Sequence, residues 1–101
     1  MEMLVRMDGD ILKVALGGEI DHHEAVEMRS RIDGLILDER PQRVIFDFSR
    51  VTFMDSSGIG LVLGRYRLIS SLGGSVTVCG ASESTARIFK MSGVDKLVEI
   101  N

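Results

Sequence analysis

The residues best placed to do chemistry lie in one stretch, Met54-Asp55-Ser56-Ser57-Gly58-Ile59-Gly60. It follows a strand-like run and opens a helix-like one. The first turn of a helix carries backbone N–H groups without intrahelical partners and a partial positive charge. A phosphate is well accommodated there. Ser56 and Ser57 are therefore candidates for phosphorylation or anion contact. Gly58 and Gly60 lack side chains, so another surface could approach closely. The plainer reading is an Asp-Ser-Ser capping cluster whose glycines pack against a strand.

Other chemistries fit less well. Gly58-x-Gly60-x-x-x-Gly64 is not the dinucleotide fingerprint, because Leu63 stands where the third glycine belongs. The sequence has no Gly-Lys-Ser/Thr of a P-loop and no Gly-x-Ser-x-Gly elbow. His22-His23 lies between Asp21 and Glu24, but neighbouring helical residues point about 100° apart and do not converge on one ion. A structural helix start is the better account, and no metal or cofactor is expected. Ser56, His22 and Asp21 name a triad on paper, yet nothing in the sequence brings base to nucleophile or supplies an oxyanion hole. An enzyme is not expected. Cys79 falls in an apolar run and reads as a buried, inert thiol. Met28, Met54 and Met91 read as core filler, although Met54 adjoins the serine pair and could face a partner.

Composition narrows the partners. The chain has 101 residues, 45% hydrophobic and 27% charged, which suits one soluble domain spanning residues 1–101. Twelve Lys and Arg against fifteen Asp and Glu give a net charge of −3. Nucleic acid as main partner is disfavoured, since phosphate neutralisation needs a clustered basic surface. One cysteine allows no internal disulfide and suits a reducing, cytoplasmic setting. The best apolar run, residues 59–64, is far short of the ~18 needed to span a membrane. The first six residues lack the basic-then-apolar pattern of a secretory signal.

The elements that must position these residues can be read in outline. Residues 3–7 and 11–16 are apolar runs flanking Asp8-Gly9, a hairpin signal. Gly17-Gly18 ends that pattern. Asp21 with Glu24 three residues on has capping-box spacing. Ala25, Met28, Ile32, Leu35 and Ile36 then form an apolar helical stripe, with Glu27, Arg29, Arg31 and Asp33 opposite. Residues 43–48 read as a central strand and residues 49–54 as a link. Ile59, Val62, Leu63, Tyr66, Ile69 and Leu72 carry helical spacing, with Arg65, Arg67 and Ser70 opposite, and Gly73-Gly74 stops the helix. Residues 75–79 form a strand, Ser82 caps a third helix ended by Gly93, and residues 96–100 form a last strand. The order β-β-α-β-α-β-α-β implies an α/β domain with a mostly parallel sheet and an N-terminal antiparallel hairpin.

Five segments, in this order, carry a resemblance: Gly18-Glu19-Ile20-Asp21-His22-His23, the stretch from Phe53 to Gly60, Leu63-Gly64-Arg65-Tyr66, Gly73-Gly74, and Phe89-Lys90-Met91-Ser92-Gly93. Together they resemble the bacterial anti-sigma-factor antagonists, which are STAS domains, and within them the sporulation branch acting on sigma factor F. The resemblance runs through almost the whole chain. It implies that Ser56, the first hydroxyl after the Asp of the motif, is the phosphoacceptor; propensity alone does not separate it from Ser57. It implies that Asp21 and Asp55 flank that site. It also implies two partners: an anti-sigma factor that is itself a serine kinase using ATP, and a PP2C-type serine phosphatase. The unphosphorylated form then binds the anti-sigma factor and frees the sigma factor. A helix after the last strand is also implied, and the sequence ends at Asn101 before one. The partner-binding face expected on this footing comprises Asp21, His22, Ser56, Ser57, Gly58, Ile59 and Gly60, with Met54 and Arg65 as outer members. The alternatives are a STAS scaffold module in a stress-signalling or transporter assembly and a small serine hydrolase.

Overall fold

The computed structural model describes residues 2–101. The elements are β1 (Glu2–Asp8), β2 (Ile11–Ile20), α1 (His22–Glu39), β3 (Arg43–Met54), α2 (Ser56–Ser71), β4 (Ser75–Cys79), α3 (Glu83–Ser92) and β5 (Glu99–Ile100), with a 3₁₀ turn at Val94–Lys96. This is the order the sequence implies. The strands form a single sheet in the order β1-β2-β3-β4-β5, with β1 antiparallel to β2 and all other pairs parallel.

Each crossover moves one strand onward in the same direction. Right-handed connections then put all three helices on one face. Burial agrees. Leu12, Val14 and Leu16 of β2, Val44, Phe46 and Phe48 of β3, and Val76 and Val78 of β4 are buried. They meet Ala25, Met28, Ile32 and Ile36 of α1, Leu61, Val62 and Ile69 of α2, and Phe89 of α3. Phe48 and Phe89 pack edge to face, centroids 5.4 Å apart, a favoured aromatic arrangement. The residues between them on the strands, such as Lys13, Ala15, Ile45 and Asp47, face away from the helices and stay half-buried.

Helix ends follow local chemistry. Asp21 Oδ1 accepts the Glu24 backbone N–H at 2.9 Å, and Ser82 Oγ accepts that of Thr85 at 3.2 Å. Either contact satisfies an orphan donor of the first turn. Gly93, at φ 83°, closes α3. Arg40 closes α1 in the left-handed conformation, with Pro41 next. No helix among the described residues is long and apolar enough to cross a membrane.

Several features depart from the sequence reading. The hairpin loop is Gly9-Asp10 rather than Asp8-Gly9, because Asp8 already pairs with Ile11; Gly9 takes φ 63°, as the first position of a type II′ turn requires. Gly17-Gly18 does not end β2. The strand runs on to Ile20 through two register shifts, bulges whose extra residues lie on β3. Glu2 lies over the two glycines: a Cβ on Gly17 would come within 2.7 Å of its Oε2. The supposed link 49–54 is the second half of β3, held in the sheet by that same extended pairing. The last strand shrinks to two residues, since the 3₁₀ turn takes up the start of the expected run.

The largest departure is Arg65. It belongs to the buried face of α2, with Gly58, Leu61, Val62 and Ile69, rather than to the solvent face. Its Nε lies 2.6 Å from Asp33 Oδ1 of α1, and its NH1 donates to the Leu61 carbonyl at 3.2 Å. Burial lowers the guanidinium's pKa, with Arg29 adding to this, while Asp33 holds it up. Arginine nevertheless stays charged, so the pair ties α1 to α2. Cys79 also differs: it is half-buried on the helix-free face rather than enclosed. Partial burial and then the Asp47 carboxylate raise its pKa, so the thiol stays protonated and weakly reactive at neutral pH.

Breaking an ion pair of this kind leaves one charge buried without a partner. Asp33 is about one-third exposed, so Asp33→Ala should cost roughly 2–3 kcal/mol rather than the full buried-pair penalty. Urea denaturation reads this as a lower midpoint. Combining Asp33→Ala with Arg65→Leu should recover most of the loss, because no orphan charge then remains.

Candidate functional site

The carboxyl ends of β2 and β3 lie side by side, Ile20 paired with Met54. The Asp55 backbone N–H donates to the Ile20 carbonyl at 3.3 Å. The next residue of one chain segment is therefore Asp21 and of the other Asp55, and each is the N-cap of a helix. Both have extended backbone, at φ −101° and −98°. The Asp21 carboxylate holds the Glu24 N–H. Asp55 Oδ1 holds the Ser57 N–H at 2.8 Å, and its carbonyl accepts from Gly58 N–H at 3.1 Å. Two helix N-termini thus open onto one end of the sheet, each with its positive dipole end outward.

Ser56 is the first residue of α2 and is exposed. Its hydroxyl makes no hydrogen bond among the described residues. Ser57 is half-buried and lines a shallow groove of about 190 Å³ between α1 and α2, with His22, Ala25, Val26, Arg29, Gly60 and Leu61. The adjacent hydroxyls that the sequence could not tell apart thus have different surroundings: one faces solvent, the other a groove wall.

The two glycines separate as well. A Cβ on Gly58 would overlap Cγ and Sδ of Met54. Gly58 is therefore the seat on which α2 rests against the end of β3. Gly60 is exposed, with open space where a Cβ would go. The close-packing and close-approach readings each hold for one glycine.

Two residues expected at the edge of the partner face lie beneath it. Met54 is 4% exposed and fills the space under Gly58, and Arg65 is 6% exposed and turned toward Asp33. Packing, rather than contact with a partner, accounts for both. What remains at the surface is His22, Ser56 and Gly60, exposed, with Asp21, Ser57 and Ile59 half-buried. Three residues that the sequence reading did not place on the partner face join this end. Val26, 42% exposed, and Arg29 continue from His22 at helical spacing and face the groove; an apolar residue off the core stripe of α1 was the available signal. Phe53, 54% exposed, stands next to Met54 on β3. It was hidden in what read as a link.

No three His, Cys, Asp or Glu side chains among the described residues are grouped to hold a metal ion. Asp21 Oδ1 caps the helix.

Comparison with known proteins gives a consistent result. Residues 2–101 match the family described as STAS domain. An anti-sigma F factor antagonist from Paenibacillus polymyxa is 38% identical over 90 residues, covering 89% of this chain and 77% of that protein. Among solved structures, the anti-sigma factor antagonist SpoIIAA in its unphosphorylated form superposes with a TM-score of 0.88 at 31% identity, over 99% of this chain and 88% of that one. The phosphorylated form of the Bacillus cell fate determinant SpoIIAA superposes with a TM-score of 0.80, also at 31% identity, over 99% and 91%.

The contrast between the glycines is measurable. Gly58→Ala should destabilise the domain by about 1–3 kcal/mol, since a methyl must displace the buried Met54 side chain. Gly60→Ala should stabilise it by roughly 0.4–1 kcal/mol, because it replaces glycine in a helix at an uncrowded position. Thermal denaturation of the two variants should shift the midpoint in opposite directions.

Proposed function

This chain belongs to the STAS domain family, and we propose that it is an anti-sigma-factor antagonist whose docking is gated by a phosphate on Ser56. In this reading the unphosphorylated protein binds an anti-sigma factor through the paired N-termini of α1 and α2 and so frees a sigma factor. The anti-sigma factor is also the serine kinase that modifies Ser56 from ATP, and a PP2C-type phosphatase reverses the modification.

The observation that carries the reading is the position of Ser56. It is exposed, free of hydrogen bonds to its hydroxyl among the described residues, and first in a helix whose N-terminus lies beside a second one. A phosphoryl group adds about −1.5 to −2 charge. Helix dipoles favour negative charge at this position, so the modified domain keeps its fold. The likeness of this chain to both phosphorylated and unphosphorylated SpoIIAA supports that point. Asp21 and Asp55 already bring two carboxylates to the same end of the sheet, so the phosphate joins an acidic surface.

Docking is affected differently. A partner covering Ser56 would have to desolvate the phosphate. An unpaired charge in an interface costs several kcal/mol, and a loss of about 3–4 kcal/mol is two to three decades in affinity. The switch thus changes the energy of a complex while leaving the free protein's structure alone. Ser57 is a poorer acceptor in this scheme, because it is half-buried against the groove.

Calorimetry against the cognate anti-sigma factor tests the gate. Ser56→Ala should bind like the unmodified protein. Ser56→Asp, with a single charge, should bind at least about ten-fold more weakly, and the phosphorylated protein more weakly still. Equal affinities for Ser56→Ala and Ser56→Asp would overturn the gate. Localising the phosphate by mass spectrometry after treatment with kinase and ATP should give Ser56 and not Ser57.

A further inference from the structure

The two edges of the sheet are unlike. One edge is β5, only two residues long. Short edge strands are a common protection against pairing with other chains. The other edge is β1, seven residues long, without proline, and in unbroken register with β2 from Glu2–Gly17 to Asp8–Ile11. β1 carries the charged Glu2, Arg6 and Asp8, but no bulge, proline or lysine interrupts its edge. Leu4, next to its central residue Val5, is 71% exposed.

The hairpin fixes which backbone groups point outward. Asp8 and Ile11 flank a two-residue loop, so they exchange hydrogen bonds with each other, and so do the alternate pairs through Arg6, Leu4 and Glu2. The N–H and C=O groups of Met3, Val5 and Met7 therefore face away from the sheet, unpaired. Glu2, Leu4 and Arg6 meanwhile project side chains to the helix-free face, and Met3 and Val5 to the core side, where they are half-buried.

We propose that the outer edge of β1 pairs antiparallel with the same edge of a second copy of this chain, two-fold symmetric about Leu4. In that register Leu4 meets its own symmetry mate at a closely spaced, non-hydrogen-bonded pair. Met3 and Val5 of each copy exchange their free backbone groups with Val5 and Met3 of the other. Glu2 of each copy stands opposite Arg6 of the other, twice by symmetry. Opposite charges across strands stabilise and like charges destabilise. The neighbouring register, centred on Val5, would instead set Glu2 against Asp8, so the charge pattern selects the Leu4-centred one. A contact between identical patches closes on itself and gives a dimer, not a fibre. Ser56 follows β3, two strands in from this edge, so each copy keeps its phosphorylatable end exposed.

Sedimentation equilibrium on the isolated chain, from about 10 μM to about 1 mM, tests this without any partner protein. The chain should form a reversible dimer. Glu2→Arg alone or Arg6→Glu alone should weaken dimerisation roughly ten-fold, since each sets like charges across both symmetry-related pairs. The double variant Glu2→Arg/Arg6→Glu should restore it. An equimolar mixture of the two single variants should associate as well as the unaltered chain, because the mixed pair is again matched. A chain that stays monomeric throughout would overturn the proposal, as would a dimer indifferent to the charge reversals. The circular dichroism of each variant, expected to be unchanged, confirms that the exposed charges alter association and not folding.

Discussion

The pairing of Ile20 with Met54 determines the functional end of this molecule. Two parallel strands that finish in register deliver their next residues to the same place. Here those residues are Asp21 and Asp55, and each caps a helix that turns back over the same face of the sheet. A slip of one residue in that register would send each side chain to the opposite face. Ser56 would then lose its exposed position. The bulges opposite Gly17 and Gly18 belong to the same constraint. From Ala15–Asp47 to Ile20–Met54 β2 advances five residues and β3 seven, so β3 takes up two extra residues and the strands still finish together.

The capping aspartates stabilise the helix starts and also crowd negative charge beside a serine. That makes the end of the sheet suited to an electrostatic decision. Two helix dipoles point at that end and favour negative charge there. An interface tolerates it far less, because desolvation penalises charge more heavily than solvent-screened repulsion does. The rigidity required for such a device comes from below. Met54 fills the space under Gly58, and the Arg65–Asp33 pair fixes α2 against α1. Neither touches the surface, yet both hold the helix whose first residue carries the hydroxyl.

What could be read from the sequence was what is decided locally. The caps at Asp21 and Ser82, the stops at Gly73 and Gly93, and the strand 75–79 depend on residues within a turn of one another, and they stand where their chemistry indicates. The order of elements and the parallel sheet followed from these. The extension of β2 and β3 was hidden because it arises between strands thirty residues apart, and Gly17-Gly18 taken alone reads as a stop. Arg65 was hidden because a charge in a helix reads as solvent-facing unless its partner on another helix is known. Met54 read as core filler that could also face a partner, and the missing side chain of Gly58 above it decides for the core. The Asp-Ser-Ser-Gly stretch was visible as a helix start, whereas the difference between Ser56 and Ser57 arises from the groove formed with α1.

A sheet whose strands run in sequence order has a further consequence. All three crossovers turn the same way, so one face takes every helix and the other takes none. The uncovered face must then be made tolerable to water, and the half-buried Lys13, Asp47 and Cys79 among Ala15 and Ile45 do this in the middle of the sheet. At its margin the solution changes. β1 offers alternating Glu2, Leu4 and Arg6, a pattern whose charges are opposite in sign at equal distance from the centre. Such a strand is soluble alone and complementary to itself. The β1 edge and the Ser56 end are separate in the fold, β3 lying two strands in from β1.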